Sequence, residues 1–367
     1  MFDTDIAIIG GGPAGLAAAI SASRKGFQVT VADACHPPID KACGEGLMPD
    51  ALAAAARLGI DIPADLGLPI RGIRFVTPTH QVAAPFPHGP GRGIRRTALH
   101  PRLVETAQAA GARLLWGVSV HGIDGHTVRT AAGPIRARWI IGADGGQSLV
   151  RRWAGLDHIS RESPRFGFRR TYRAAPWSGH VEIHWTEDCQ IYVTPVAANE
   201  ICLVSISRDP QLRFTDALDR MPTVKERLGA AAESSPERGS FAGTRRIPRI
   251  VRGHIALLGD ASGTIDAITG EGLCLAFNQS FALADSLAGG GLAHYESEHA
   301  RLSRRPLMMA GLMLEMDRWS WLRRRAIAAL QARPDLFANL VAAHIGQRNL
   351  VQLAATAASL CWGLTAL

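Results

Sequence analysis

Asp5-Ile6-Ala7-Ile8-Ile9-Gly10-Gly11-Gly12-Pro13-Ala14-Gly15-Leu16-Ala17-Ala18-Ala19-Ile20 is the stretch that decides the fold. Asp5 to Ile9 is a mostly apolar run bounded by glycine, short enough for a buried parallel strand. Gly10, Gly12 and Gly15 follow at G-x-G-x-x-G spacing, and the Ala-rich continuation reads as a helix stopping at Gly26. Phe27-Gln28-Val29-Thr30-Val31-Ala32 is a second strand, ending at Asp33 and Ala34. The first glycine makes the tight strand-to-helix turn, the second lets backbone approach a pyrophosphate, and the third allows close helix–strand packing. The anion then sits on the positive helix N-terminus, at Pro13 and Ala14. Asp33, placed past the last glycine by one helix and one strand, is positioned to accept hydrogen bonds from a ribose. The combination specifies a dinucleotide-binding βαβ unit, but its spacing serves nicotinamide and flavin dinucleotides alike.

Two later segments narrow the choice. Arg138-Trp139-Ile140-Ile141-Gly142-Ala143-Asp144-Gly145 is an apolar strand ending in Asp-Gly, and Ile255-Ala256-Leu257-Leu258-Gly259-Asp260 is another ending in Gly-Asp. In this order the three segments resemble the fingerprints of the para-hydroxybenzoate-hydroxylase-like flavoprotein family, over roughly residues 3 to 290. The resemblance implies FAD, with the ADP half at Gly10, Gly12, Gly15 and Asp33. It implies Asp144 and Gly145 near the pyrophosphate, and Gly259 and Asp260 on the ribityl chain. Arg96, three residues ahead of an expected helix, matches a family Arg beside the sugar and phosphates, and Val120 a position whose backbone reads the adenine. No second Gly-rich βαβ unit is present, so NADH or NADPH is expected as a transient electron donor.

The reaction is decided where Gly270-Glu271-Gly272 opens a long helix whose N–H groups can stabilise negative charge on a flavin. The Thr269-Gly270-Glu271-Gly272 turn, and the loop Lys41-Ala42-Cys43-Gly44-Glu45-Gly46, are closer to geranylgeranyl-reductase-like relatives than to the commoner hydroxylase pattern. Cys43, Tyr192 and Glu271 are the candidate catalytic residues. His100 and His184 are available bases without a partner visible in the sequence. Lys41 is read as solvated. A halogenase would carry a Trp-x-Trp-x-Ile-Pro segment, and Gln190-Ile191-Tyr192-Val193-Thr194-Pro195 has neither Trp.

Period-two runs between residues 166 and 207 read as a half-buried antiparallel sheet. From Tyr295 the chain reads as helices, Met-rich at 307–316 and followed by Trp319-Ser320-Trp321-Leu322-Arg323-Arg324-Arg325. The last residues, Leu350 to Leu367, carry no charge but are diluted by polar positions, and a span needs about 20 apolar residues. The expected architecture is α/β. A Rossmann-like FAD-binding domain with a parallel sheet (1–160 and 245–290) interleaves with an antiparallel-sheet substrate domain (70–95 and 161–244), and 291–367 forms a helical C-terminal region.

The chain of 367 residues is 47% hydrophobic and 20% charged, the balance of a globular protein with a large core. The net charge of +8 is almost all Arg, and without a basic block interleaved with aromatics no nucleic-acid partner is expected. Six cysteines without CxxC pairs argue against a metal site and for a reducing compartment. The absence of a leader pattern adds a cytoplasmic expectation, with peripheral membrane contact through the C-terminal helices and a monomeric or homodimeric state. The leading functional expectation is an NAD(P)H-dependent monooxygenase that hydroxylates an aromatic or polyketide-like lipophilic small molecule through a flavin hydroperoxide. The alternatives are saturation of isoprenoid or quinone double bonds and a non-catalytic flavoprotein module.

Overall fold

The apolar run at Thr4–Ile9 becomes the centre of a parallel sheet, flanked by Val29–Asp33 on one side and Gly133–Gly142 on the other. In the computed structural model, which describes residues 1–346, Arg113–Trp116 and Ile255–Leu257 extend that array outward. The uncharged run from Leu350 lies outside the described residues. Helices Pro13–Ser23 and Gly272–Ala288 pack together beside the sheet. The alanines at 17, 18 and 19 bring their axes close, and Ser21 Oγ meets Ser280 Oγ at 3.0 Å. Leu16, Ile20 and Phe277 are fully buried there. Each such side chain contributes about 1.5–3 kcal/mol of burial.

The second sheet runs Arg238–Phe241, Phe166–Tyr172, Glu200–Ser207, Cys189–Ala197, Val181–Trp185, Gly72–Val76, Gln81–Pro85. Every pairing is antiparallel except Val181–Trp185 with Gly72–Val76, which is parallel. The expectation of a half-buried sheet fails, because residues 189–196 are buried on both faces. One face packs on the short helices Phe214–Asp219 and Pro222–Leu228, and the other on the C-terminal helices through Trp185, Ile206, Ile327 and Phe337. Those helices are Ala293–Arg318, Ser320–Ala332 and Pro334–His344. No helix among the described residues is long and apolar enough to cross a membrane.

Candidate active site

Each glycine of the opening motif meets a different constraint. Gly10 has φ of +111°, and a Cβ there would lie 2.3 Å from the Ala143 carbonyl oxygen. A Cβ on Gly15 would lie 1.8 Å from the Gly10 oxygen, so helix and strand approach only because it is absent. A Cβ on Gly12 would meet nothing nearer than Arg96 Nη2 at 3.9 Å. That open backbone, at the N-terminus of a helix and beside a guanidinium, is a cradle for a phosphate group.

Parallel pairing gathers the three separated segments. Gly10 N–H donates to Ala32 O, Ala143 N–H to Ile9 O, and Leu258 N–H to Gly142 O, so Gly10, Asp144 and Gly259 follow the carboxyl ends of adjacent strands. Arg151, buried, clips two of them together by donating to Gly146 O (3.1 Å) and Ala261 O (3.2 Å). Asp144 does more local work than the motif suggests. Its Oδ2 accepts from Leu149 N and Val150 N at 2.7 and 3.1 Å, capping the helix Leu149–Trp153, while Oδ1 has no hydrogen-bond partner.

Asp33 accepts from Gly11 N (2.6 Å) and Cys35 N (2.8 Å), which fixes its carboxylate beside the glycine turn. Arg96 is the first residue of the helix Arg96–Ala109 rather than three residues ahead of it. The reason is Glu45, whose Oε1 accepts the Arg96 N–H at 3.1 Å and caps the helix a turn before Pro101. Glu45 is buried with φ of +55°, the single positive value among described non-glycine residues. Burial pushes its carboxyl pKa up, against the lowering charges of Arg169 and Arg95. Val120 opens the strand Val120–Asp124. His100 is no free base: its Nε2 lies 2.9 Å from Gly11 O, and burial lowers its pKa.

A cavity of about 1400 Å³ runs from this turn into the space between the antiparallel sheet and the C-terminal helices. That exceeds the roughly 300–1,000 Å³ of an ordinary small-molecule pocket, leaving room for a dinucleotide and a second molecule. Gly10, Gly12, Pro13, Ala14, Asp33, Ala34, Arg96, Val120, Asp144, Gly145, Gly259, Asp260, Gly270, Glu271 and Gly272 all line it; Gly15 lies behind. Asp260 is exposed on the cavity wall, and the protein packed around it raises its pKa while Lys41 and Arg96 oppose the rise. Lys41 is exposed, as read, and also lines the cavity: a Cβ on Gly145 would lie 3.4 Å from its Nζ.

Beyond Asp260 the chain turns through Gly270, at φ of +68°, into the helix Gly272–Ala288. A Cβ on Gly270 or Gly272 would meet nothing within 4 Å, so this backbone too is open. Tyr192, fully enclosed, lies 3.1 Å from both Gln190 Oε1 and Ile268 O and braces that turn. Burial raises its pKa, so the phenol keeps its proton, and Tyr192 also lines the cavity. Glu271 is buried, with Oε1 3.2 Å from Arg305 and Oε2 3.6 Å from His344 Nδ1, too far for a hydrogen bond. Burial raises its pKa, with His344 and Arg305 pulling the other way. Cys43 lines the cavity half-buried, its Sγ accepting from Glu45 N at 3.4 Å.

Some site residues lay beyond the reach of sequence reasoning. Arg165 is buried and bonds Asp266 Oδ1 (2.9 Å) and Asp317 Oδ1 (3.4 Å), holding the turn from below. Arg169 is buried on Asp40 and Ser235 and anchors the Cys43 loop. Arg305 and His344 complete the surroundings of Glu271. His184 pairs with Glu182 at 3.0 Å inside the second sheet, and that carboxyl is lowered to about 2: burial would raise it, but hydrogen bonds from His184 and Trp177 outweigh that.

Open backbone at Gly12, the adjoining helix N-terminus, Arg96 and the fixed Asp33 fit the phosphates and ribose of a dinucleotide. Residues 3–290 match the family described as FAD binding domain. Among curated proteins, the chain is 27% identical over 335 residues to a menaquinone reductase of Mycolicibacterium smegmatis, covering 80% of this chain and 78% of that one. It is 29% identical over 308 residues to protein CbrA of Escherichia coli O157:H7, covering 77% and 84%. Among solved structures, the flavin-dependent brominase Bmp2 superposes with a TM-score of 0.81 at 17% identity, covering 97% and 98%, a likeness of fold. The chain belongs to the FAD binding domain family, the para-hydroxybenzoate-hydroxylase-like flavoproteins, and FAD is its dinucleotide.

Proposed function

We propose that the chain is an FAD-dependent reductase that saturates a carbon–carbon double bond in an isoprenoid or prenylated-quinone substrate, with NADH or NADPH as a transient electron donor. The observation that carries this reading is the far end of the cavity. Its walls are aliphatic, methionine and aromatic groups, among them Met48, Phe75, Ile183, Met313 and Phe337, which suit a hydrocarbon chain and offer few partners for a polar ring. The menaquinone-reductase relatives support the same substrate class, being closer in sequence than the brominase.

Bound FAD, once reduced, would supply the hydride. Gly12, Asp33 and Arg96 would hold its ADP half, Asp260 its ribityl chain, and the open turn at Gly270 to Gly272 its ring edge. The apolar walls exclude water and position the alkene. Glu271, like Glu45 and Asp266 a buried carboxyl on the cavity wall whose pKa burial raises, is the one at the Gly270–Gly272 turn and is the proton donor of this proposal; Arg305 occupies Oε1, leaving Oε2 to carry the proton. Addition of hydride and proton across one double bond accounts for all atoms and electrons.

The test is the product's mass. FAD-loaded protein, reduced anaerobically by NAD(P)H and given a polyprenyl quinone in detergent, should return a product heavier by two hydrogens. Incorporation of labelled oxygen from O2, with no saturation, would overturn the reading in favour of hydroxylation.

A further inference from the structure

Of the seven exposed large hydrophobic side chains among the described residues, three fall between positions 312 and 321: Leu312, Trp319 and Trp321, at 45%, 44% and 54% exposure. They cluster around the junction of the helices Ala293–Arg318 and Ser320–Ala332. Leu312 also lines the cavity, as do Met316 one turn further on and Leu322 in the next helix, so the rim of the apolar chamber lies here. Trp side chains with an apolar body and a polar N–H favour the level of lipid headgroups.

The exposed charge on these two helix turns is mostly basic, although the exposed Glu187 acts on Arg323 from the neighbouring strand end. Arg318, Arg324 and Arg325 are exposed on the same two turns, and the Arg318 guanidinium lies 5.0 Å from the centre of the Trp319 ring. Asp317 does not neutralise them, because it is held by Arg165, Arg208 and Gln190. Arg323 is buried and donates to Met316 O, which fixes the corner that presents the two tryptophans. Glu315 is the exposed carboxylate of this segment, set against three exposed guanidinium groups.

We infer that this corner docks the protein on an anionic lipid surface, with Trp319 and Trp321 at the headgroups, Arg318, Arg324 and Arg325 on lipid phosphates, and the cavity rim turned toward the acyl chains. The purpose of such docking rests on the lipophilic-substrate reading, since a hydrocarbon substrate would then enter without crossing water. The surface itself stands on exposure and charge. None of its Arg and Trp residues is among those lining the cavity.

Flotation of the FAD-loaded full-length protein tests it, with phosphatidylcholine vesicles compared with mixed phosphatidylcholine–phosphatidylglycerol vesicles. Binding is expected to the mixed vesicles, to weaken with salt, and to fall about tenfold or more in R324E/R325E. W319S/W321S should lose binding and the blue shift in tryptophan emission that accompanies it, while flavin absorbance shows unchanged FAD content. Equal binding to both vesicle types, or undiminished binding by W319S/W321S, would overturn the proposal; the second result would assign docking to another segment, such as the uncharged run at 350–367. Saturation of a substrate dissolved in detergent reads the reductase proposal separately, because that assay needs no lipid surface.

Discussion

Where the cavity meets the glycine turn its walls are main chain, and where it meets the C-terminal helices they are methyl, methionine and aromatic groups. The first end is gathered from three adjacent strand ends, and its tightest spaces are those a single added carbon would fill. The second end is assembled from strands and helices more than a hundred residues apart, and methyl-sized changes there can be absorbed by repacking. A rigid, polar, backbone-built cradle suits one invariant cofactor. An adaptable apolar chamber suits a substrate of variable length.

The largest effect should come from closing the tightest space. Gly15→Val would drive a side chain into the Gly10 carbonyl, and we expect no soluble folded protein by circular dichroism. Next is Arg165→Met, which leaves Asp266 and Asp317 without their buried cation. Urea titration should show a loss of about 3–5 kcal/mol. Gly12→Ala separates folding from cofactor binding. Its new Cβ clashes with nothing, so thermal stability without FAD should hold, while FAD affinity falls at least tenfold, about 1.4 kcal/mol. At the other end, Ile183→Val should cost about 0.5–1.5 kcal/mol and leave FAD affinity unchanged. A Gly12→Ala protein with full FAD affinity, or an Ile183→Val protein with reduced affinity, would break the contrast between the two ends.

The smallest effect is one of pH. Burial holds the Glu271 carboxyl above its ordinary 4.5, so the folded protein binds that proton more tightly than the unfolded chain. Its contribution to stability is complete below 4.5 and is lost as pH rises through the raised folded value. Glu271→Gln lacks this dependence. The melting temperature of wild type minus that of Glu271→Gln should therefore decline as pH climbs above 4.5; a difference independent of pH would contradict the assignment.

What could be read from the sequence divides along the same line. The Gly10–Asp33 unit was legible because strand, glycines, helix, strand and acid follow one another at a fixed spacing, although the partner that Gly10 must clear, Ala143, is distant in sequence. Gly259-Asp260 and Asp144-Gly145 were legible as strand ends, though nothing in the spacing revealed that Asp144 caps its own helix. The buried ion pairs were not legible. Arg165 meets Asp266 and Glu271 meets Arg305 and His344 only after sheet and helices close on each other, and an isolated Arg in a sequence reads as surface. The parallel pairing of Val181–Trp185 with Gly72–Val76 was hidden in the same way, since alternation gives the faces of a strand but not its neighbour.

We propose that one continuous cavity holds FAD against the glycine turn and a hydrocarbon chain beneath the C-terminal helices. A crystal structure of the protein with FAD and a polyprenyl quinone tests it most directly. The pyrophosphate should lie over Gly12, the flavin ring at the Gly270–Gly272 turn, and the prenyl chain among Phe75, Ile183, Met313 and Phe337. A prenyl chain bound outside this chamber, or a flavin ring away from that turn, would contradict it.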